Sequence, residues 1–207
     1  MLRAALALTA LTSLCALSAC DSAPTTPEPK ASRFNGVKRE QGTTAAKSFC
    51  EVTFPAVEAG SRAFAAPAEK AIPSYTAPAA SPTKGWRWVN LWATWCRPCV
   101  EEIGLLGKWQ SLLAKDGLPI ALDLYSVDDD EPALTGWMQT TKMPGHVRWL
   151  KGGAADLPAV LESLGVDKNA PIPVHALVDA NDRVRCVRTG SVHDEDYGAV
   201  KAILAGG

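Results

Sequence analysis

A chain of 207 residues with 47% hydrophobic side chains and a formal charge of -1 carries enough apolar material for one ordinary core with residues left over. The balanced charge excludes the basic excess of a nucleic-acid binder, and no acidic run of five or more marks a solvating tail. Partner choice must therefore come from local chemistry.

The N-terminus reads as a targeting segment, residues 1–19. Arg3 supplies the positive start, and Ala4 to Leu17 is apolar but too short to span a bilayer comfortably. Leu17-Ser-Ala-Cys20 resembles the lipobox of bacterial lipoproteins. The resemblance implies cleavage before Cys20 and a lipid on its sulfur, at about 0.8 kcal/mol of anchoring per buried methylene. An ordinary secretory signal with a chance cysteine is the other reading. Residues 20–47 turn to Pro, Thr, Ser, Ala and Lys, with Phe34 the one aromatic, so nothing there offsets the entropy of ordering and a flexible tether is expected.

From residue 48 to residue 85 a short strand, Phe49 to Phe54, precedes an Ala- and Pro-rich stretch in which Pro55, Pro67, Pro73, Pro78 and Pro82 block long regular elements. It is expected to pack across a sheet; continued linker is the alternative. Trp86 to Ala93 is aromatic and branched enough for a buried strand, and Val100 to Lys115 has helical periodicity, with Ile103, Leu106, Trp109 and Leu113 on one face.

Between them lies Trp95-Cys96-Arg97-Pro98-Cys99. Two cysteines two residues apart at a strand-to-helix junction point to redox chemistry. The unpaired amides of a helix N-terminus favour thiolate at Cys96, which makes it the attacking sulfur, and Cys99 one turn later resolves the mixed disulfide. Pro98 removes an amide without an acceptor and fixes a helical φ; Arg97 adds a cation beside the thiolate. Trp95 is expected to border the docking groove.

Beyond the first helix, Leu118 to Val127 reads as a buried strand, and Asp128-Asp-Asp-Glu131 as the start of a helix running to Lys142. Carboxylates favour a helix N-terminus, and no further ligand lies nearby at a metal-binding spacing. His146 to Leu150 is a short strand and Leu157 to Leu164 a short helix. Val174 to Asp179 and Arg183 to Arg188 form a hairpin, and His193 to Leu204 a final helix. His146 and His193 carry no motif. Strands alternating with helices and ending in a hairpin predict a three-layer α/β/α domain.

The stretch Val89-Asn-Leu-Trp-Ala-Thr-Trp-Cys-Arg-Pro-Cys-Val-Glu-Glu102 resembles the active-site segment of the TlpA/ResA-like thioredoxin-fold thiol-disulfide oxidoreductases. The likeness continues more loosely through Ser126-Val-Asp-Asp, Leu164-Gly-Val and Ile172-Pro-Val-His-Ala-Leu-Val-Asp179. It implies a thioredoxin fold with the family's insertion and an N-terminal extension, 48–85, within a domain of residues 48–207. It also implies a membrane-tethered, extracytoplasmic enzyme that reduces disulfides of protein clients, of the cytochrome c or copper-site maturation type, and is recharged by an upstream membrane thiol donor. No cofactor beyond the Cys96–Cys99 pair and no metal is expected.

On the same resemblance, Glu102 is the acid near the cysteines that carries the Cys99 proton, a solvated helix glutamate being the alternative, better suited to Glu101. Asn90 stands where ordinary thioredoxins keep a buried aspartate, and an amide is no base. Pro173 is the cis-proline that faces the cysteine pair. Val174 and His175 replace common threonines, His175 serving in substrate choice or as an alternating strand residue. Gly104 replaces the proline expected after the acid, leaving the helix kink open.

Export also sorts the cysteines. With Cys15 cleaved away and Cys20 lipidated, Cys50, Cys96, Cys99 and Cys186 remain in an oxidising compartment. If Cys96 pairs with Cys99, Cys50 and Cys186 are the remaining couple, as in relatives whose extension is joined to the late hairpin; two inert buried thiols are the alternative. Two further readings stay open, a copper-binding protein that uses the Cys96 and Cys99 thiolates and a redox-inactive binding module.

Overall fold

The computed structural model describes Thr44 and residues 48–57, 59–78 and 85–206, all within one unit, 34–207. The signal segment, Cys20 and, apart from Thr44, the tether lie outside the described residues. No described helix is long and apolar enough to cross a membrane.

Among the described residues the eight strands are β1 (Val52–Thr53), β2 (Arg62–Ala63), β3 (Glu69–Lys70), β4 (Trp86–Trp92), β5 (Ile120–Ser126), β6 (His146–Leu150), β7 (Val174–Val178) and β8 (Arg183–Thr189). They form one mixed sheet in the order β1-β8-β7-β4-β5-β6-β3, with β2 also on β8. β4, β5 and β6 run parallel; β7 and β8 return antiparallel. The α-helices that follow β4 are α1 (Arg97–Lys115), α2 (Glu131–Thr140), α3 (Leu157–Leu164) and α4 (Tyr197–Ala205). Thus β4-α1-β5 followed by β7-β8-α4 builds the thioredoxin arrangement, and α2 with β6 is the insertion on its far side.

β4 is buried on both sides, so its side chains name the layers. Trp88 meets Trp109 of α1, whose ring meets Tyr197 of α4, and Trp92 meets Trp137 of α2. These three helices share one face; for α1 and α2 this follows from right-handed parallel crossovers that run in a single direction over β4, β5 and β6. The other parity, Val89 and Leu91, is equally buried, and α3, through Val160, Leu161 and Leu164, supplies the opposite layer. α3 ends at Gly165, whose φ of 85° suits glycine and whose missing Cβ leaves room for the Phe54 ring.

The central elements lie where the sequence puts them, to within a few residues. The active-site helix begins at Arg97, so Pro98 falls in its first turn, and it continues unbroken past the exposed Gly104 for 19 residues. The extension differs from expectation. Phe49 to Phe54 gives only the two-residue β1, and 48–78 extends both edges of the sheet instead of crossing a face: β1 and β2 pair with β8, β3 with β6. Edge strands present unpaired amides and carbonyls, and short segments that need no periodicity of their own satisfy them. Cys50, just before β1, is disulfide-bonded to Cys186 of β8.

Candidate active site

Cys96 is the N-cap of α1, with extended backbone and no side-chain cap. The strand-to-helix turn is closed by its amide, which donates to the Ala93 carbonyl at 3.1 Å, and by its own carbonyl, which accepts from Val100 at 3.1 Å. Its sulfur is bonded to that of Cys99. Both sulfurs sit at the positive end of a 19-residue helix, where unpaired amides favour negative charge. Cys99 is fully buried and Cys96 nearly so, leaving Cys96 the outer of the two.

Two features frame that outer sulfur. Trp95, next to it, is 65% exposed, a large apolar surface left open beside the disulfide. Across the site the Ile172 carbonyl oxygen lies 3.8 Å from Cys96 Sγ, and the Ile172–Pro173 peptide bond is cis. Arg97 reaches away into solvent. Its guanidinium donates to Glu101 at 2.8 Å, which holds its proton above the usual arginine range and shares out the charge expected to serve the thiolate.

Glu102, one turn after Cys99 on the same face of α1, is 4% exposed; Glu101 is the solvated one. One Glu102 oxygen, Oε2, accepts the Val192 amide at 3.0 Å; the other, Oε1, accepts the Asn90 side-chain amide at 3.1 Å. Asn90 is paired in register with His175 on β7, and its amide nitrogen also lies 3.2 Å from His175 Nδ1. His175 is thus turned inward, 1% exposed, with Nε2 3.4 Å from Glu102 Oε1. A cleft of about 220 Å³ between Pro98, Leu105, Ser191 and His193 reaches Glu102 from outside.

One contributor was not singled out by the sequence. Asp128 was expected to begin a helix, but it is buried and holds the active-site turn: its carboxylate accepts the Thr94 amide and hydroxyl and the Ser126 hydroxyl. Of its neighbours, Asp129 accepts the Ala154 amide and Asp130 precedes α2. The signal available was position, since Asp128 directly follows a fully buried strand. Among the described residues no cluster of three or more His, Cys, Asp or Glu side chains is placed to hold a metal ion.

No family model matches the chain. Over 112 residues it is 25% identical to the thiol-disulfide oxidoreductase ResA of Geobacillus thermodenitrificans and, to the same extent, to that of Geobacillus kaustophilus. Over that stretch the chain is similar to the ResA thiol-disulfide oxidoreductases. Each alignment takes in 52% of this chain and 56% of the relative, so the chain spans little more than half the length of the curated relatives it matches. The thioredoxin domain of a thiol-disulfide oxidoreductase from Bacteroides vulgatus superposes with a TM-score of 0.48 at 20% identity, over 59% of this chain and 81% of the other.

Proposed function

We propose that this protein is a thiol-disulfide oxidoreductase of the ResA type that reduces disulfides of protein clients, tethered through Cys20 to a membrane on its extracytoplasmic side. The observation that carries the reading is the Cys96–Cys99 disulfide at a helix N-terminus, with the outer sulfur between exposed Trp95 and the Ile172 carbonyl. Export is supported by the second disulfide, Cys50–Cys186, a bond that persists in oxidising compartments.

In the reductive cycle the Cys96 thiolate attacks a client disulfide, and one client sulfur leaves with a proton from water. Cys99 gives its proton to Glu102 and attacks the Cys96 sulfur. The Cys96–Cys99 bond forms, the bond from Cys96 to the client breaks, and two electrons have passed to the client. Trp95 and the backbone beside Pro173 are the docking surfaces, an extended client segment pairing with that backbone by β-addition. An upstream membrane thiol donor then restores the dithiol.

The test is Cys99→Ser in the full-length chain, followed by non-reducing separation and mass mapping. Mixed disulfides through Cys96 are expected to accumulate. Their absence, with Cys96 shown to be free and alkylatable, would sink the reading.

A further inference from the structure

The backbone amide that holds Glu102 belongs to a peptide that is gripped from its other end as well. Residues 190–193 follow β8 and are tied at four points. The Gly190 amide donates to the Pro173 carbonyl at 2.9 Å, and the Ser191 carbonyl accepts Arg188 Nη2 at 3.1 Å. The Val192 amide donates to Glu102 Oε2 at 3.0 Å, and the His193 amide to Asp196 Oδ2 at 2.9 Å. The Ser191 carbonyl and the Val192 N–H are the two ends of one trans peptide, so they point in opposite directions on one rigid plane. Arg188 holds one end and Glu102 the other. A cation on the oxygen and a carboxylate on the hydrogen polarise that peptide in the same sense, so each hydrogen bond strengthens the other.

Arg188 is itself anchored away from the site. Its Nη1 donates to the Phe49 carbonyl at 3.3 Å, its guanidinium carbon lies 4.9 Å from the centre of the Phe49 ring, and Asp196 faces it at 3.5 Å. Phe49 is buried, and the next residue is Cys50, bonded to Cys186 on β8. In the sheet Arg188 stands opposite His175 of β7, and His175 opposite Asn90 of β4, whose amide holds Oε1, the second oxygen of Glu102. His175 Nε2 lies 3.4 Å from that oxygen without a hydrogen bond. The Glu102 carboxylate is thus set by β4 at one oxygen and, through one peptide and Arg188, by the N-terminal extension at the other.

We propose that Arg188 is a positioning residue for the cysteine pair: anchored on Phe49 and Asp196, it fixes the Ser191–Val192 peptide and so keeps the Glu102 carboxylate buried, one turn along α1 from Cys99. The inference rests on the reading of Glu102 as the acid that serves the pair. Without Arg188 the peptide is free to turn, Oε2 loses its donor, and the carboxylate can swing into the cleft that Glu102 shares with Pro98, Leu105, Ser191 and His193. The negative charge that opposes a thiolate on the pair then weakens. The sign is diagnostic. Loss of a cation by itself raises the midpoint of thiolate formation, whereas loss of a buried carboxylate lowers it.

The experiment measures the rate of Cys96 alkylation by iodoacetamide against pH in the reduced full-length protein, read by mass mapping so that only Cys96 is counted. Arg97 and Glu101, the paired charges beside the cysteines, are the same in every variant. Arg188→Met keeps the apolar stem and is expected to lower the Cys96 midpoint by roughly half a unit, and to lower it no further when Glu102→Gln is also present. Arg188→Lys keeps the charge but loses the fork, and the same direction is expected; it replaces Arg188→Met if that variant fails to fold. An unmoved or raised midpoint, or an equal fall on top of Glu102→Gln, overturns the proposal. Glu102→Gln alone separates the two levels. If it leaves the midpoint in place, the reading of Glu102 falls and this inference with it; if it lowers the midpoint and the Arg188 variant does not, only the role of Arg188 falls. Independently of the sulfurs, hydrogen exchange at the Val192 amide is expected to quicken about tenfold in the Arg188 variant, the size of one weakened hydrogen bond to a charged group. An unchanged rate would overturn the proposal.

Discussion

Asp128 holds Thr94 from two directions: both carboxylate oxygens lie 3.1 Å from the Thr94 amide, and Oδ1 also accepts its hydroxyl at 2.6 Å. Thr94 lies two residues before Cys96, so the turn that carries Cys96 is fixed from the end of β5, where the Ser126 hydroxyl donates to Asp128 at 2.7 Å. Asp128→Asn keeps the shape but sets an amide group against at least one of those donors. Hydrogen bonds to a charged group contribute roughly 1.5–3 kcal/mol each, and an orphaned buried donor costs a similar amount, so a loss of about 3 kcal/mol is expected. Urea unfolding of the oxidised domain reads it directly. A loss under about 0.5 kcal/mol would mean that the turn is held by other contacts.

The Cys50–Cys186 bond spans a sequence separation of 136 and fastens the extension to β8. Closing so long a loop restricts the unfolded chain by up to about 5 kcal/mol in the chain-entropy model. The double variant Cys50→Ala and Cys186→Ala is expected to unfold at clearly lower urea while its Cys96–Cys99 pair still exchanges with small thiols. Unchanged stability would show that the extension's pairing with β8 suffices without the bond.

Glu102 is expected to tune Cys96 as well as serve Cys99. Its buried carboxylate, one turn below the pair, opposes a second negative charge on the cysteines, so Glu102→Gln lowers the midpoint of Cys96 thiolate formation by roughly one unit. Absorbance of the reduced protein near the thiolate band against pH measures it. A midpoint that stays in place would show that Glu102 does not tune Cys96.

The central elements were legible because β4, β5 and α1 carry patterns that only one structure satisfies: a run of aromatic and branched residues, then apolar positions at Ile103, Leu106, Trp109 and Leu113 that all become buried. The extension was not, since β1, β2 and β3 are two residues each and owe their existence to the edges they cover. His175 was hidden for another reason. β7 is buried at every position, so alternation along Val174–Val178 gives no sign of which polar side chain is turned to a partner. Only the register of β4 on β7 brings it beside Asn90, and only the docking of α1 brings Glu102 to both. Asp128 was misassigned because its acidic neighbours suit a helix start, whereas its burial depends on Thr94 lying across from it.

His146 gives the pH dependence of the fold a specific source. It opens β6, half-buried against Tyr75, with Arg148 two residues on. Burial first, and the Arg148 cation second, hold its imidazole below its ordinary value of 6.5. The folded state therefore binds fewer protons than the unfolded chain in the interval between the two values, and stability rises with pH there. Read downward, stability begins to fall as pH drops through 6.5 and the loss is complete below the folded value. His146→Gln cannot titrate, so the variant is expected to lose less stability than the parent between pH 7.5 and pH 5. Urea unfolding of both proteins at the two pH values checks this, and an equal loss in the two would assign the acid sensitivity to other groups.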